Sequence, residues 1–259
     1  MPDSLEEAQE AIIARLIKDP YPLYDRTFPL IMFWSPKGGC TSLMKWFFFQ
    51  IGLHQITKDY HPWIHKYRME VHEKQNNYRN EIQKQLLDSK KETYKLVRNP
   101  FTRAVSSFFA MLTNKAILDQ LAPNAIDGIS FTQFLYMIKQ KGVGRSSVDL
   151  HIAQQYIDEE ESVIKNYIYL EDFTKELRNI EKKFGLLKSP MSDLIKSPHH
   201  MSEIMTEYGE SADTKFTPNS FGNRLPIYKS FYNDETRDLV SELFKKDFQA
   251  YGYDQTELK

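Results

Sequence analysis

Two short strings in this chain gather groups that bind oxyanions. The first, SPKGGCTSL from Ser35 to Leu43, follows an apolar run from Leu30 to Ser35 that lies between Pro29 and Pro36. A run with so few polar residues predicts a strand buried on both faces in a parallel sheet. The dense apolar stretch CTSLMKWFFFQIGL after it predicts a helix, with Thr41 or Ser42 as its cap. Where a strand passes into a helix, successive backbone N–H groups and the positive helix end converge on one point. Gly38 and Gly39 let that backbone approach a ligand closely, Lys37 adds a charge, and Thr41 and Ser42 add hydroxyl donors. Pro36, Lys37, Gly38, Gly39, Cys40, Thr41 and Ser42 therefore form a candidate cradle for a phosphate or sulfate group. The order is not that of a Walker A loop, in which the lysine follows the second glycine and a Ser/Thr holds Mg²⁺. An ordinary capped strand-to-helix turn would look similar if the loop stood alone.

The second string, LVRNPFTRAVSSF, places Arg98 at the end of a predicted strand that starts at Thr93, with Asn99-Pro100 as the break before a helix from about Phe101 to Leu112. Ser106 lies eight residues beyond Arg98, within that helix. Open α/β sheets bind ligands at the carboxyl edge of their strands, so an arginine fork and a hydroxyl there suit a second phosphate. Arg103 and Ser106 share a helix face. The competing reading makes Arg98 half of a structural ion pair.

Proton transfer near neutral pH calls for histidine, and His54, His61, His65 and His72 all lie between the two strings. His65 is the first candidate for a general base and His61 the second. Pro62 sets His61 ahead of the helix that would carry His65. No carboxylate or thiol completes a metal set around them, so no metal site is expected. His151 stands apart as a further candidate.

These residues need a scaffold, and the order of elements predicts one: an α/β, P-loop-like fold with a central, mainly parallel sheet flanked by helices. We expect one domain over residues 1–259, with 1–27 as an N-terminal extension and 189–225 as a loop or lid. Other expected elements are helix and loop over 54–91, a capped helix after Ser130, a strand at NYIYLEDF leading to a helix that ends near Gly185, and a last helix from Asp234 to Tyr251. Charge is nearly balanced, 34 Lys plus Arg against 35 Asp plus Glu, so no global field draws the chain to nucleic acid or an anionic membrane. Cys40 is the only cysteine, which excludes an internal disulfide and suits a reducing compartment. The first residues carry charges throughout and the apolar runs are too short to span a bilayer, so a cytoplasmic location is expected.

The two strings carry a resemblance. PKGGCTSL resembles the 5′-phosphosulfate-binding loop of sulfotransferases that use PAPS (3′-phosphoadenosine 5′-phosphosulfate), and RNPFTRAVSSF resembles their 3′-phosphate motif R-D-P-x-x-R-x-x-S, with Asn99 in place of Asp. Asp149, His151 and Gln154 or Gln155, then YIYLEDF, then YKSFYNDETRDLVSELFKKDFQAYGYD, are similar to the Golgi carbohydrate branch of sulfotransferase family 2 and its bacterial relatives, from Phe28 to Asp254. The resemblance implies PAPS as donor and its desulfonated product PAP as leaving group. Pro36 to Ser42 would hold the 5′ end, Arg98 and Ser106 the 3′-phosphate, and Lys37 would bridge the sulfuryl group and the leaving oxygen. It also implies a base in the interval of His65, and a role for His151 in acceptor binding or proton transfer. The Golgi enzymes are anchored and disulfide-bonded, which this chain does not match, so an acceptor hydroxyl or amine on a small molecule or natural product is expected, with a sugar as the alternative. The rival readings are an ATP-dependent small-molecule kinase, which lacks a convincing Walker B aspartate here, and a nucleotide-binding module without catalysis. Oligomeric state is left open.

Overall fold

A computed structural model describes residues 5–123, 125, 127–196, 203–220, 222 and 224–256. The chain divides into two compact units, Met1–Val97 with Ile157–Ser197, and Arg98–Tyr156 with Pro198–Lys259.

The first unit is built on three parallel strands, β1 (Leu30–Phe33), β2 (Glu92–Val97) and β3 (Asn166–Tyr169), in the order β1-β2-β3. Leu30 lies opposite Glu92, and Tyr94 opposite Asn166. The sheet is flanked by α1 (Leu5–Leu16), α2 (Cys40–Gln50), α3 (His54–Tyr60), α4 (Ile64–Glu70), α5 (Tyr78–Leu87), α9 (Phe173–Phe184) and the single turn α10 (Met191–Leu194). β1 explains why the sequence run is so apolar. Leu30 and Met32 pack with Trp46 and Phe47 of α2 and Leu177 of α9, while Ile31 and Phe33 pack with Ile12, Ile13 and Leu16 of α1 and Ile82 of α5. Alternate residues thus enter opposite layers, and every position of the strand is buried. Gly185 ends α9 in the left-handed conformation, as expected.

A buried ion pair lies within this unit. Lys95 of β2 is only 2% exposed, and its Nζ is 2.5 Å from Oε2 of Glu160, which is fully buried. The same Oε2 accepts the Ile157 backbone N–H at 2.9 Å. Burying either charge unpaired costs several kcal/mol, so the pair is conditional on both members.

The second unit begins at Arg98. Asn99 caps α6 (Pro100–Thr113) by accepting the Phe101 N–H at 2.9 Å, with Pro100 at the first helical position. It continues through α7 (Lys115–Leu121) and α8 (Phe131–Lys141), whose Ser130 and Gln133 form a reciprocal capping box. Two short parallel strands follow, β4 (Met205–Glu207) and β5 (Leu225–Pro226). The expected last helix is two, α11 (Asp234–Leu243) and α12 (Lys245–Tyr251), because Phe244 leaves the helical conformation as its ring enters the core. That core is aromatic: Phe108, Phe109, Phe131, Phe134, Phe216 and Phe231 are all buried together. The loop expected over 189–225 therefore includes α10 and β4, and part of it, residues 197–202, lies outside the described residues. No described helix is long and apolar enough to cross a membrane.

The ion pair generates a stability prediction. Lys95→Met or Glu160→Leu, each alone, should lower the unfolding free energy by about 3–5 kcal/mol, and the double variant should recover most of the loss. Urea denaturation of the four proteins checks this; single variants as stable as the parent would show that the pair is not conditional.

Candidate active site

The loop after β1 is shaped by two unusual backbone positions. The Gly38 N–H bonds to the Ser35 carbonyl at 3.1 Å, closing a turn. Lys37 then has φ +64°, a left-handed conformation that costs an L-residue roughly 1–2 kcal/mol and persists where the surrounding structure over-determines the backbone. Gly39 has φ +91°, and a Cβ there would lie 2.4 Å from Leu170 Cδ1 and 3.3 Å from Leu96 Cδ2. Glycine is therefore favoured at 39 by its dihedral, and a Cβ would also displace the end of the Leu170 side chain.

The expected capping by Thr41 or Ser42 is corrected by the structure. Gly39 is the N-cap of α2, and no side chain caps that helix end. Cys40 already has helical geometry, so Thr41 and Ser42 fall inside the first turn, too late to cap it. An N-terminus without a side-chain cap keeps donor N–H groups and a partial positive charge for another partner, the condition an anion fills. Pro36, Gly38 and Ser42 are buried, while Lys37, Gly39, Cys40 and Thr41 are half-buried. The buried Ser35 hydroxyl has no hydrogen-bond partner. Burial pushes the Cys40 thiol up, against the pull of Lys37 and Arg68, so Cys40 is held as a neutral thiol.

His65, on α4, is brought to this loop. Its Nε2 lies 3.4 Å from Thr41 Oγ1 and 3.6 Å from Cys40 Sγ. Trp63 stacks on its ring at 5.4 Å and Trp34 meets it edge-on at 5.8 Å, which fixes the plane of the imidazole. His61 is not on α4. It ends α3, and its Nδ1 accepts the Trp63 N–H at 2.9 Å, so the two histidines share no helix face. His72 is fully buried with Nε2 3.0 Å from the Tyr24 carbonyl, and burial lowers its pKa, as expected of a core residue. His54 packs on Phe49, and burial with Lys58 and Lys45 nearby lowers its pKa. Among the described residues no group of three His, Cys, Asp or Glu side chains is placed to hold a metal ion.

One turn past His65 lies a residue that sequence reasoning missed. Arg68 is 7% exposed, its guanidinium sits 4.8 Å over the Trp34 ring, and its Nη1 is 3.1 Å from Oε1 of Glu73. Burial outweighs the attraction of Arg68 and, with Asp19 nearby, pushes the Glu73 carboxyl up to about 7. The Trp34 ring thus lies against both Arg68 and the candidate base, His65.

In the second unit, Arg98 is held at its main chain and its side chain. Gln155 accepts the Arg98 N–H at 3.0 Å and donates to the Arg98 carbonyl at 2.8 Å. The guanidinium donates from Nε to Thr102 Oγ1 at 3.0 Å and from Nη2 to the Tyr228 hydroxyl at 2.9 Å, and its carbon lies 5.3 Å over the Tyr228 ring. Ser106 is half-buried on α6. Arg103, placed by the sequence on the face of Ser106, is instead 1% exposed, with Nη2 3.4 Å from the Leu150 carbonyl. Burial lowers its pKa to about 10 while Asp247 opposes the shift, which marks a structural arginine.

His151 is oriented by Asp149. The carboxylate Oδ1 accepts both the His151 backbone N–H at 2.8 Å and its Nδ1–H at 2.7 Å, which leaves Nε2 as the lone-pair nitrogen of the neutral ring. The imidazole is 44% exposed, and the Ser107 hydroxyl pins the His151 carbonyl at 2.6 Å.

A family model described as "Sulfotransferase family" matches residues 23–254, and the chain belongs to that family. It is a sulfotransferase. No curated protein and no solved structure matches the chain.

Glu73 makes stability depend on pH. Between its ordinary value of 4.5 and about 7 the folded chain keeps a proton that the unfolded chain has lost, so stability falls as pH rises through that window, by up to about 3 kcal/mol. Glu73→Gln should flatten this decline in urea melts taken from pH 4.5 to 8. Parallel curves for parent and variant would remove Glu73 as the cause.

Proposed function

We propose that the chain transfers the sulfuryl group of PAPS to a hydroxyl or amine, with the loop from Pro36 to Ser42 receiving the 5′-phosphosulfate and Arg98 with Ser106 receiving the 3′-phosphate. The observation that carries the reading is the placement of His65 Nε2 at 3.4 Å from Thr41 Oγ1, against the loop that offers a strained lysine and a helix start without a side-chain cap. Anion cradle and proton acceptor are thereby neighbours within one unit. The family match runs without interruption through both units, which supports one sulfotransferase domain over residues 1–259.

The residues divide the work as follows. His65 takes the acceptor's proton at Nε2 as the acceptor's oxygen or nitrogen bonds to sulfur. The bond from sulfur to the phosphate oxygen breaks, PAP leaves, and the electron pair stays on that oxygen. Lys37 and the N–H groups at the start of α2 stabilise the charge that grows there, an interaction stronger in the transition state than before it. A transferred sulfuryl carries one negative charge, less than the phosphates of a nucleoside triphosphate, so a lysine with backbone dipoles suffices. Trp63, 43% exposed and stacked on His65, offers an acceptor a flat apolar surface beside the base. That supports a small molecule or natural product as acceptor, with a sugar as the alternative. The single cysteine supports a cytoplasmic setting.

Three variants test the reading. Lys37→Ala should bind PAP by calorimetry nearly as the parent does, while PAPS-dependent transfer falls about 10²–10³-fold; undiminished turnover would sink the role of Lys37. His65→Gln should lower kcat by about 10²–10⁴-fold with little change in donor affinity. If His151→Gln removes activity and His65→Gln does not, the base belongs to His151.

A further inference from the structure

The residues around Arg98 carry an inference that rests on the proposed donor. We propose that Tyr228, Thr102 and Gln155 are positioning residues that aim Arg98, and that through it they set the preference of the enzyme for a nucleotide bearing a 3′-phosphate. An arginine on a flexible stem must give up rotamer freedom to hold one geometry. In this structure much of that ordering is already done. Thr102, one helical turn along α6, takes the Nε–H at 3.0 Å, and the Tyr228 hydroxyl takes an Nη2–H at 2.9 Å while its ring lies under the guanidinium. Both of these acceptors are neutral hydroxyls that orient the group.

Gln155 acts on the main chain. It pairs with both the N–H and the carbonyl of Arg98, as a neighbouring strand would, one residue past the end of β2. Gln155 is itself fixed from below: its backbone N–H bonds at 2.9 Å to Oδ2 of Asp247, and the Tyr156 N–H bonds at 2.7 Å to Oδ1. Asp247 is fully buried on α12. The arrangement thus runs from a buried carboxylate through a glutamine to the backbone of the phosphate-binding arginine. Gln155 is also fully buried, and a buried amide with two bonds to a single residue fixes the place of that residue.

The experiment compares the binding of adenosine 3′,5′-bisphosphate and adenosine 5′-phosphate to the full chain by calorimetry, for the parent, Tyr228→Phe, Thr102→Val and Gln155→Met. The parent should prefer the bisphosphate, and each variant should lose about tenfold of that preference with its affinity for the monophosphate unchanged. Should Gln155→Met fail to fold by circular dichroism, Tyr228→Phe, which removes one hydroxyl and keeps the ring, decides the matter. A preference retained in Tyr228→Phe, or an equal loss of both nucleotides, overturns the positioning role and leaves the donor reading standing. A parent with no preference overturns the donor reading itself.

Discussion

The first unit turns on a helix that starts without a side-chain cap. α2 begins at a glycine in the left-handed conformation, and Thr41 and Ser42 lie inside the helix, past the capping position. Capping by Ser, Thr, Asp or Asn normally stabilises a helix by about 1 kcal/mol, so forgoing it is a cost. The structure meets that cost through the burial of Trp46, Phe47 and Phe48 on the same helix, each worth roughly 1.5–3 kcal/mol. The helix is held by its buried side chains rather than by a capping side chain. The left-handed Lys37 belongs to the same design, because a strained lysine persists only where the surrounding fold dictates it.

The histidine that completes this unit is positioned by aromatic rings. His65 lies between Trp63 and Trp34, and Trp34 in turn carries the buried Arg68 on its ring. The candidate base and the buried Arg68, paired with Glu73, thereby share a single indole. In the second unit the corresponding task falls to polar contacts: Gln155 and Tyr228 hold Arg98, and Asp149 holds His151. One unit orients its functional side chain by stacking, the other by hydrogen bonds.

Much of this was legible in the sequence wherever local rules decide. The apolar run of β1, the Asn99-Pro100 start of α6, the Ser130 capping box and the Gly185 stop all follow from neighbours within a few residues. The loop and Arg98 were legible for the same reason. The cap of α2 was misread because a hydroxyl at the start of an apolar run looks like a cap, whereas the dihedral of Gly39 decides where the helix begins. The break at Phe244 carries no Gly or Pro to announce it. Tyr228 is 130 residues from the arginine it orients and Asp247 is 92 from Gln155, and no one-dimensional pattern encodes such pairings. Gln155 had been singled out only as part of a family-like string, without the contact that explains it.

The proposed donor requires one nucleotide to engage both the loop at Lys37 and Arg98. Phosphorus NMR of adenosine 3′,5′-bisphosphate titrated with the full chain tests it most directly. The account predicts that the 3′ and 5′ signals shift together along a single isotherm, with one nucleotide bound per chain. It would be contradicted if only one phosphorus responded, or if the two saturated independently at different nucleotide ratios.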